Sequence, residues 1–295
     1  MRTLRDAGVD ADMVPTQSAG SGGEQAREAI QNGSDTIFAC GGDGTMHDVL
    51  QGIIGTDAAL GLLPLGTANA LAYDLRIPSH PEKAVRTQLC YEPRRIAAGV
   101  IRYAESAGSS ETAQRYFAVM CGAGPDATMV YELSAGWKHR YGIFGYALQS
   151  LKMYATHHFA PFVAEYVDDA TGERRTTDTP WLMAVRITDF GNVMRKLAPG
   201  AGLERGDLRV VVLNGSARLR FPVLLAASLT GYTGNLPGIE RAYTREVHLR
   251  AAPGESMQEL RTIHTEADGE FLGRLPASIS ILPNAFTLLM PPRSA

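Results

Sequence analysis

The sequence is short of cysteine, of net charge and of long apolar runs, and each shortage removes a class of protein. Three cysteines, Cys40, Cys90 and Cys121, lie scattered in apolar contexts with no metal-ligand spacing. No disulfide scaffold or zinc site is expected, and the three read as buried thiols in a reducing compartment. A net charge of −3 offers no global attraction to nucleic acid or to an anionic membrane. No apolar stretch is long enough to span a bilayer, and no basic segment followed by an apolar one opens the chain. The most apolar run, Phe221 to Leu229, is expected to pack as a helix against the second domain. A cytoplasmic protein follows, and no internal repeat is evident.

What is present is an apolar content that suits a large core. With 295 residues, 45% of them hydrophobic and 20% charged, the chain divides into two domains. Before residue 94, strand and helix patterns alternate. The pattern runs through a strand from Val9 to Val14, a helix from about Gly23 to Asn32, a strand to Cys40 with its helix, a strand to Leu63 with its helix, and a helix from Pro81 to Tyr91. Such alternation builds a parallel sheet covered by helices. After it come mainly strand-like runs: Tyr116 to Met120, Phe162 to Val167, Leu182 to Ile187, Leu208 to Leu213 and Glu246 to Arg250. They predict a β-sandwich interrupted by helical segments at Ala127 to Leu133 and Tyr141 to Tyr154. The polar tracts Glu105 to Gln114 and Thr171 to Thr179 read as hairpin tips. The fold class is therefore α/β, with an N-terminal parallel-sheet domain over residues 1–93, which the motifs below make the nucleotide-binding domain, and a C-terminal β-sandwich domain over 94–295.

The most informative segment is Gly41-Gly42-Asp43-Gly44-Thr45, which follows the apolar run Thr36 to Cys40 and precedes the helically spaced Met46 to Ile54. Glycines at a strand-to-helix turn let the backbone approach a phosphate chain, and the helix start aims N–H groups at the anion. A tight turn alone also uses glycine. Asp43 shifts the balance, because an acid within a phosphate cradle repels the ligand unless a divalent cation stands between them, which argues for a Mg²⁺-nucleotide. A second turn, Pro64-Leu65-Gly66-Thr67-Ala68-Asn69, again links an apolar strand to a helix. Its Thr67 and Asn69 either cap that helix or reach a ligand. Two such turns opening on one edge of a parallel sheet mark a ligand site, since ligands there bind at the carboxyl ends of strands.

With both turns placed, the chain resembles the diacylglycerol kinase catalytic family, the lipid kinases that include bacterial diacylglycerol kinases and the sphingosine kinases. In that family a GGDGT turn and a PxGTxN turn bind ATP. A third signature, Asp-Gly-Glu before a proline and a final strand, is similar to Asp268-Gly269-Glu270 with Pro276 and Ala285 to Pro291. The resemblance covers nearly the whole chain. It implies an ATP- and Mg²⁺-dependent kinase acting on a hydroxyl of diacylglycerol or a related lipid at the membrane surface, with no nucleic-acid partner and room for a homodimer. Such an enzyme is cytoplasmic or peripheral at the inner face of the membrane.

The resemblance also implies roles. Thr16, Gly41, Gly42, Asp43, Gly44, Thr45, Met46, His47, Gly66, Thr67 and Asn69 surround the nucleotide, and Asp43 holds the nucleotide-bound Mg²⁺ through water. Glu270 is the general base, Asp268 supports its network, and both face the nucleotide turn across an interdomain cleft. Taken alone, an Asp-Gly pair reads first as a hairpin turn. Cys121 to Ala127 resembles the family's acceptor-pocket segment. There Asp126 either hydrogen-bonds a lipid head group or caps the helix beginning at Ala127.

Departures from the family pattern carry their own expectations. Family members open with a strand and an Asn-Pro-x-Ser-Gly phosphate turn, whereas this sequence starts inside the following helix, so the chain as given is expected to bind ATP weakly or not at all. His47 replaces a usual asparagine and still donates one hydrogen bond. Arg95 to Gly99 lacks the aspartate common two residues before that glycine. Within Lys196 to Leu208 an arginine stands where some bacterial members place an aspartate that holds a structural Mg²⁺, so that second metal site is not expected. Two alternatives remain open: an NAD kinase-like phosphotransferase, which shares the GGDGT turn, and a nucleotide- or lipid-binding pseudokinase.

Overall fold

The computed structural model describes residues 1–18, 20–107, 109, 112–125, 127, 159–190, 197–215, 220, 223, 224, 226, 227, 230–254 and 256–293. By its contacts the chain forms two compact units, one of Met1–Ala98 with Pro283–Ala295 and one of Gly99–Leu282. The first contains α1 (Arg2–Asp6), α2 (Gly22–Gln31), β1 (Thr36–Gly41), α3 (Asp43–Ile53), β2 (Ala59–Pro64), α4 (Ala70–Asp74) and α5 (Pro81–Gln88). Strand β3 (Glu92–Ala104) then leads into the second unit. There follow β4 (Thr112–Phe117), β5 (Met120–Ala123), β6 (Phe162–Asp168), β7 (Glu173–Thr179), β8 (Leu182–Val185), β9 (Leu208–Leu213), β10 (Ile239–Thr244), β11 (Glu246–Ala251), α6 (Met257–Leu260), β12 (His264–Ala267) and β13 (Glu270–Met290).

In the first unit β1 and β2 run parallel, with Cys40 opposite Leu63 and Gly41 opposite Pro64. The end of β13 adds a further parallel strand, pairing Thr287 with Ala59 and Leu288 with Leu60. Strand β2 is thus central, which is why Ala59 to Leu62 is apolar without alternation and buried on both faces. Where the pairing with β13 stops, a side chain takes over. Gln88 of α5, itself buried, receives the Leu62 N–H at 2.8 Å and donates to the Leu62 carbonyl at 2.6 Å. Helix α3 buries Met46, Val49, Leu50 and Ile53, whose spacing forms one helical stripe.

The second unit is one strongly curled sheet with strand order β10-β9-β8-β5-β12-β13-β11-β6-β7. Its curl brings Glu240 of β10 onto Tyr166 of β6 and Arg175 of β7, at 2.9 and 2.6 Å. Two sets of side chains fill the layers. Leu182, Ala184, Leu208, Val210 and Val212 point into the main core with Phe162, Val247 and Ile279. The alternate residues Met183, Val185, Val211 and Leu213 pack outward against Trp181, Leu197, Leu224 and Ile239. Burial on both faces explains why Val210 to Leu213 is apolar without alternation, while Arg209 before it is partly exposed.

Several sequence expectations change. Residues 9–17 form no strand, because β1 pairs with β2 alone and the backbone of Val9 to Val14 has no ladder to join. The tract Thr171 to Thr179 is largely strand β7, polar because it lies at the end of the strand order with one neighbour. The run Tyr116 to Met120 is broken at Ala118 and Val119 into β4 and β5, and the helix from Pro81 ends at Gln88. Cys40 and Cys90 are exposed and only Cys121 is buried. The first unit also takes back residues 283–295, a return of the chain that composition does not signal. Within Phe221 to Leu229, the described residues 223, 224, 226 and 227 are helical. The helical segments expected at 128–133 and 141–154 lie outside the described residues.

Candidate functional site

Strand β1 delivers Gly41 and Gly42 to the start of α3, with Gly42 as the N-cap and Asp43, Gly44 and Thr45 as the first helical turn. The first N–H groups of a helix have no partner within it, so this turn presents backbone donors. Strand β2 delivers Pro64 to the second turn, and the Leu65 N–H donates to the Gly41 carbonyl at 2.8 Å. The turns touch. A Cβ on Gly66 would fall 2.5 Å from the Gly42 Cα, so the backbones meet at a distance that admits no side chain.

A set of side chains fixes this contact. Asn69, in the left-handed region at φ 50°, accepts the Gly66 N–H at 3.0 Å and donates to the Gly66 carbonyl at 2.7 Å. Asp43 then reaches across from the first turn. Its two oxygens accept the Asn69 and Ala70 N–H groups, each at 2.8 Å, so it caps the start of α4 from outside the helix. The acid predicted to face a cation is thus also the clamp between the two glycine turns. A carboxylate oxygen accepts more than one donor, so the clamp and a water-bridged cation are chemically compatible. No cluster of three or more metal-ligating side chains occurs among the described residues.

Thr67 lies exposed on the second turn, whereas Met46 and His47 are buried on α3. Thr16 is exposed in the segment without regular structure. Asp126 lies outside the described residues.

In the second unit, Asp268 and Gly269 are the two central residues of the hairpin joining β12 to β13, with φ of 50° and 79°, and Ala267 pairs with Glu270. Positive φ at both positions is the turn geometry that Asp-Gly favours. Asp268 does more than turn the chain. Its carboxylate accepts the N–H groups of Ala118, Val119 and Met120 at 2.9, 2.9 and 3.1 Å, which is what interrupts the strand there. Glu270, the first residue of β13, is partly exposed, while Asp268 is 5% exposed.

Sequence reading missed Arg186. It follows β8, is 1% exposed, and its Nη2 donates to the Leu203 carbonyl at 2.9 Å. Its Nε and Nη1 are buried without an acceptor among the described residues. Burial pulls the guanidinium down to about 10, and the attraction of Asp268 and then Asp207 opposes that fall. The one signal in the sequence was a charge inside an otherwise apolar run, Leu182 to Ile187.

The family profile for the diacylglycerol kinase catalytic domain matches residues 1–101, and that for the YegS C-terminal NAD kinase beta sandwich-like domain matches residues 120–290. A diacylglycerol kinase of Bacillus subtilis is 26% identical over 298 residues, covering 100% of this chain and 90% of its own. A YegS-like lipid kinase of Chromohalobacter salexigens is 28% identical over 226 residues, 74% of this chain and 66% of its own. Among solved structures, a diacylglycerol kinase from Bacillus anthracis str. Sterne superposes with a TM-score of 0.71 at 18% identity, over 99% of this chain and 92% of that one. That superposition speaks for the fold.

Proposed function

This chain belongs to the diacylglycerol kinase family of lipid kinases, and from that premise we propose that it phosphorylates a hydroxyl of diacylglycerol or a closely related membrane lipid. It is an ATP-dependent phosphotransferase of that family. The observation that carries the assignment of the nucleotide site is the pair of glycine turns locked by Asp43. Phosphoryl transfer asks the protein mainly for positioning and charge stabilisation. Backbone N–H groups at the start of α3 would hold phosphate oxygens, with the Thr67 hydroxyl beside them. Mg²⁺ carried by the nucleotide would neutralise the phosphate oxygens, and Asp43 is the residue that would hold it through water.

On this reading Glu270 accepts the proton of the lipid hydroxyl as that oxygen forms its bond to the γ-phosphorus. The bond from the γ-phosphorus to the bridging oxygen breaks, and ADP leaves. Asp268 sets the hairpin that carries Glu270. The test is incubation of the protein with labelled ATP and a panel of lipid alcohols. Label in a phospholipid is the expected result, and label found only in NAD or in a sugar phosphate overturns the lipid assignment.

A further inference from the structure

Among the described residues Glu266 is the most deeply buried acid, at 0% exposed, and the proposed chemistry does not use it. A carboxylate taken out of water is costly unless donors reach its oxygens. It lies on β12, between β5 and β13. On β5 the residue opposite is Gly122, which puts no side chain on that face. The ladder with β13 is irregular at this point, since Thr265 pairs with Gly273 but Glu266 with Phe271, so Leu272 is the extra residue of a bulge. A bulge bends its strand and re-aims the side chains beside it. Glu266 reaches forward along the hairpin, where the Gly269 N–H donates to its Oε2 at 3.0 Å.

That bond completes the hairpin. The ladder between β12 and β13 closes at the pair Ala267 and Glu270, so the N–H groups of the two loop residues lie beyond it. Each still finds an acceptor: the Asp268 N–H donates to the Met120 carbonyl at 2.9 Å, and the Gly269 N–H to Glu266. Asp268 ties the turn to the chain at 118–120, whereas Glu266 holds the loop residue directly before Glu270. The Glu270 carboxylate stands apart. It is partly exposed and makes no hydrogen bond or ion pair among the described residues. A general base needs an oxygen free to take a proton, carried on a backbone that stays in place.

We propose that Glu266 is a positioning residue for the proposed base: by fixing the Gly269 amide, it sets the direction in which Glu270 leaves the turn. This rests on the reading of Glu270 as that base. The working feature is a hydrogen bond, and glutamine offers an accepting oxygen at the same reach. Aspartate keeps the charge but is one methylene shorter, so its oxygens fall short of the Gly269 N–H. A small misplacement of a reacting group costs about a hundredfold in rate. A slack turn should therefore show in turnover before it shows in folding.

The test measures kcat and KM with labelled ATP and dioleoylglycerol dispersed in detergent, beside the melting temperature, for the full chain and its variants. Glu266→Asp should lose about tenfold or more in kcat with both KM values unchanged. Glu266→Gln should stay close to the original protein. In a Glu270→Gln background, Glu266→Asp should cost nothing further, because the two residues act as one unit. Full turnover in Glu266→Asp overturns the proposal and leaves Glu266 a purely structural acid, as does a loss that cooling below the melting transition restores. Glu266→Gln as slow as Glu266→Asp also overturns it, since charge would then be the working feature, and so does a second loss in the Glu270→Gln background. Near-normal turnover of Glu270→Gln alone fails the base reading and takes the positioning role with it. A slow Glu270→Gln beside a fast Glu266→Asp fails the positioning role only.

Discussion

The carboxylate of Asp43 lies 2.8 Å from the backbone nitrogen of Asn69, so the acid of the first glycine turn caps the helix that follows the second. One residue therefore serves the fold of the site as well as its proposed chemistry. Asp43→Asn exchanges one accepting oxygen for an NH₂ group that faces a backbone N–H. The expected outcome is a loss of about 1–3 kcal/mol of stability together with weakened use of Mg²⁺-ATP. Urea melts beside ATP titrations check it. Unchanged stability would mean the clamp is not made in solution.

Gly66→Ala should separate the two turns, because its Cβ would meet the Gly42 Cα at 2.5 Å and the Asn69 Oδ1 at 2.8 Å. The backbone must shift, and the N–H groups at the start of α3 lose their alignment. A rise in the ATP dissociation constant of tenfold or more, about 1.4 kcal/mol, is expected by calorimetry. Alanine binding ATP as well as glycine does would remove the second turn from the nucleotide site.

Glu270→Gln tests the proposed base. The residue is partly exposed at the start of β13, so folding should be unaffected. Turnover should fall by roughly a hundredfold or more, as for loss of a general base. Near-normal turnover would shift the role of base to Asp43.

Asp268→Asn should act on stability first. Three backbone N–H groups converge on this carboxylate, and an amide cannot accept them all without turning an N–H toward another. A loss of about 3 kcal/mol is expected, read from the denaturation midpoint, with reduced activity as its consequence. A fully stable but inactive variant would instead place Asp268 among the reacting groups.

Arg186→Met removes a buried cation. Because burial lowers the folded-state value to about 10, the unfolded chain holds this proton more tightly than the folded one. The cost of the charge is thus fully present below that pH and is relieved as pH rises through it. Methionine should be neutral or stabilising at neutral pH, by a few degrees in melting temperature at most. If Arg186 supports the hairpin electrostatically through Asp268, turnover should fall even so. A large loss of stability would show instead that its charge is well compensated.

Much of this was legible because glycine and apolar runs speak locally. The alternation before residue 94 gave the parallel strands β1 and β2, and the three ordered motifs led to the family that the profiles match. Side-chain reach was not legible. Nothing in the sequence says that Asp43 bonds a turn more than twenty residues on, or that Asp268 breaks a strand some 150 residues before it. The strand expected over Val9 to Val14 failed because a strand is a property of a pair, and its apolar residues Met13 and Val14 stand 74% and 65% exposed. The polar tract Thr171 to Thr179 reads as a hairpin tip although most of it is β7, because edge strands carry the composition of turns.

Strand β13 has a consequence for synthesis. Its end, which pairs with β2, is made long after β2 itself, with the whole of the second unit in between. Domains commonly fold in order as they leave the ribosome, but here the first half has to wait for Phe286 to Met290 before β2 gains its second neighbour. A gene cut at either crossing between the units would leave β2 without the neighbour that β13 supplies. A circular permutant that begins at residue 283 would let that half fold first.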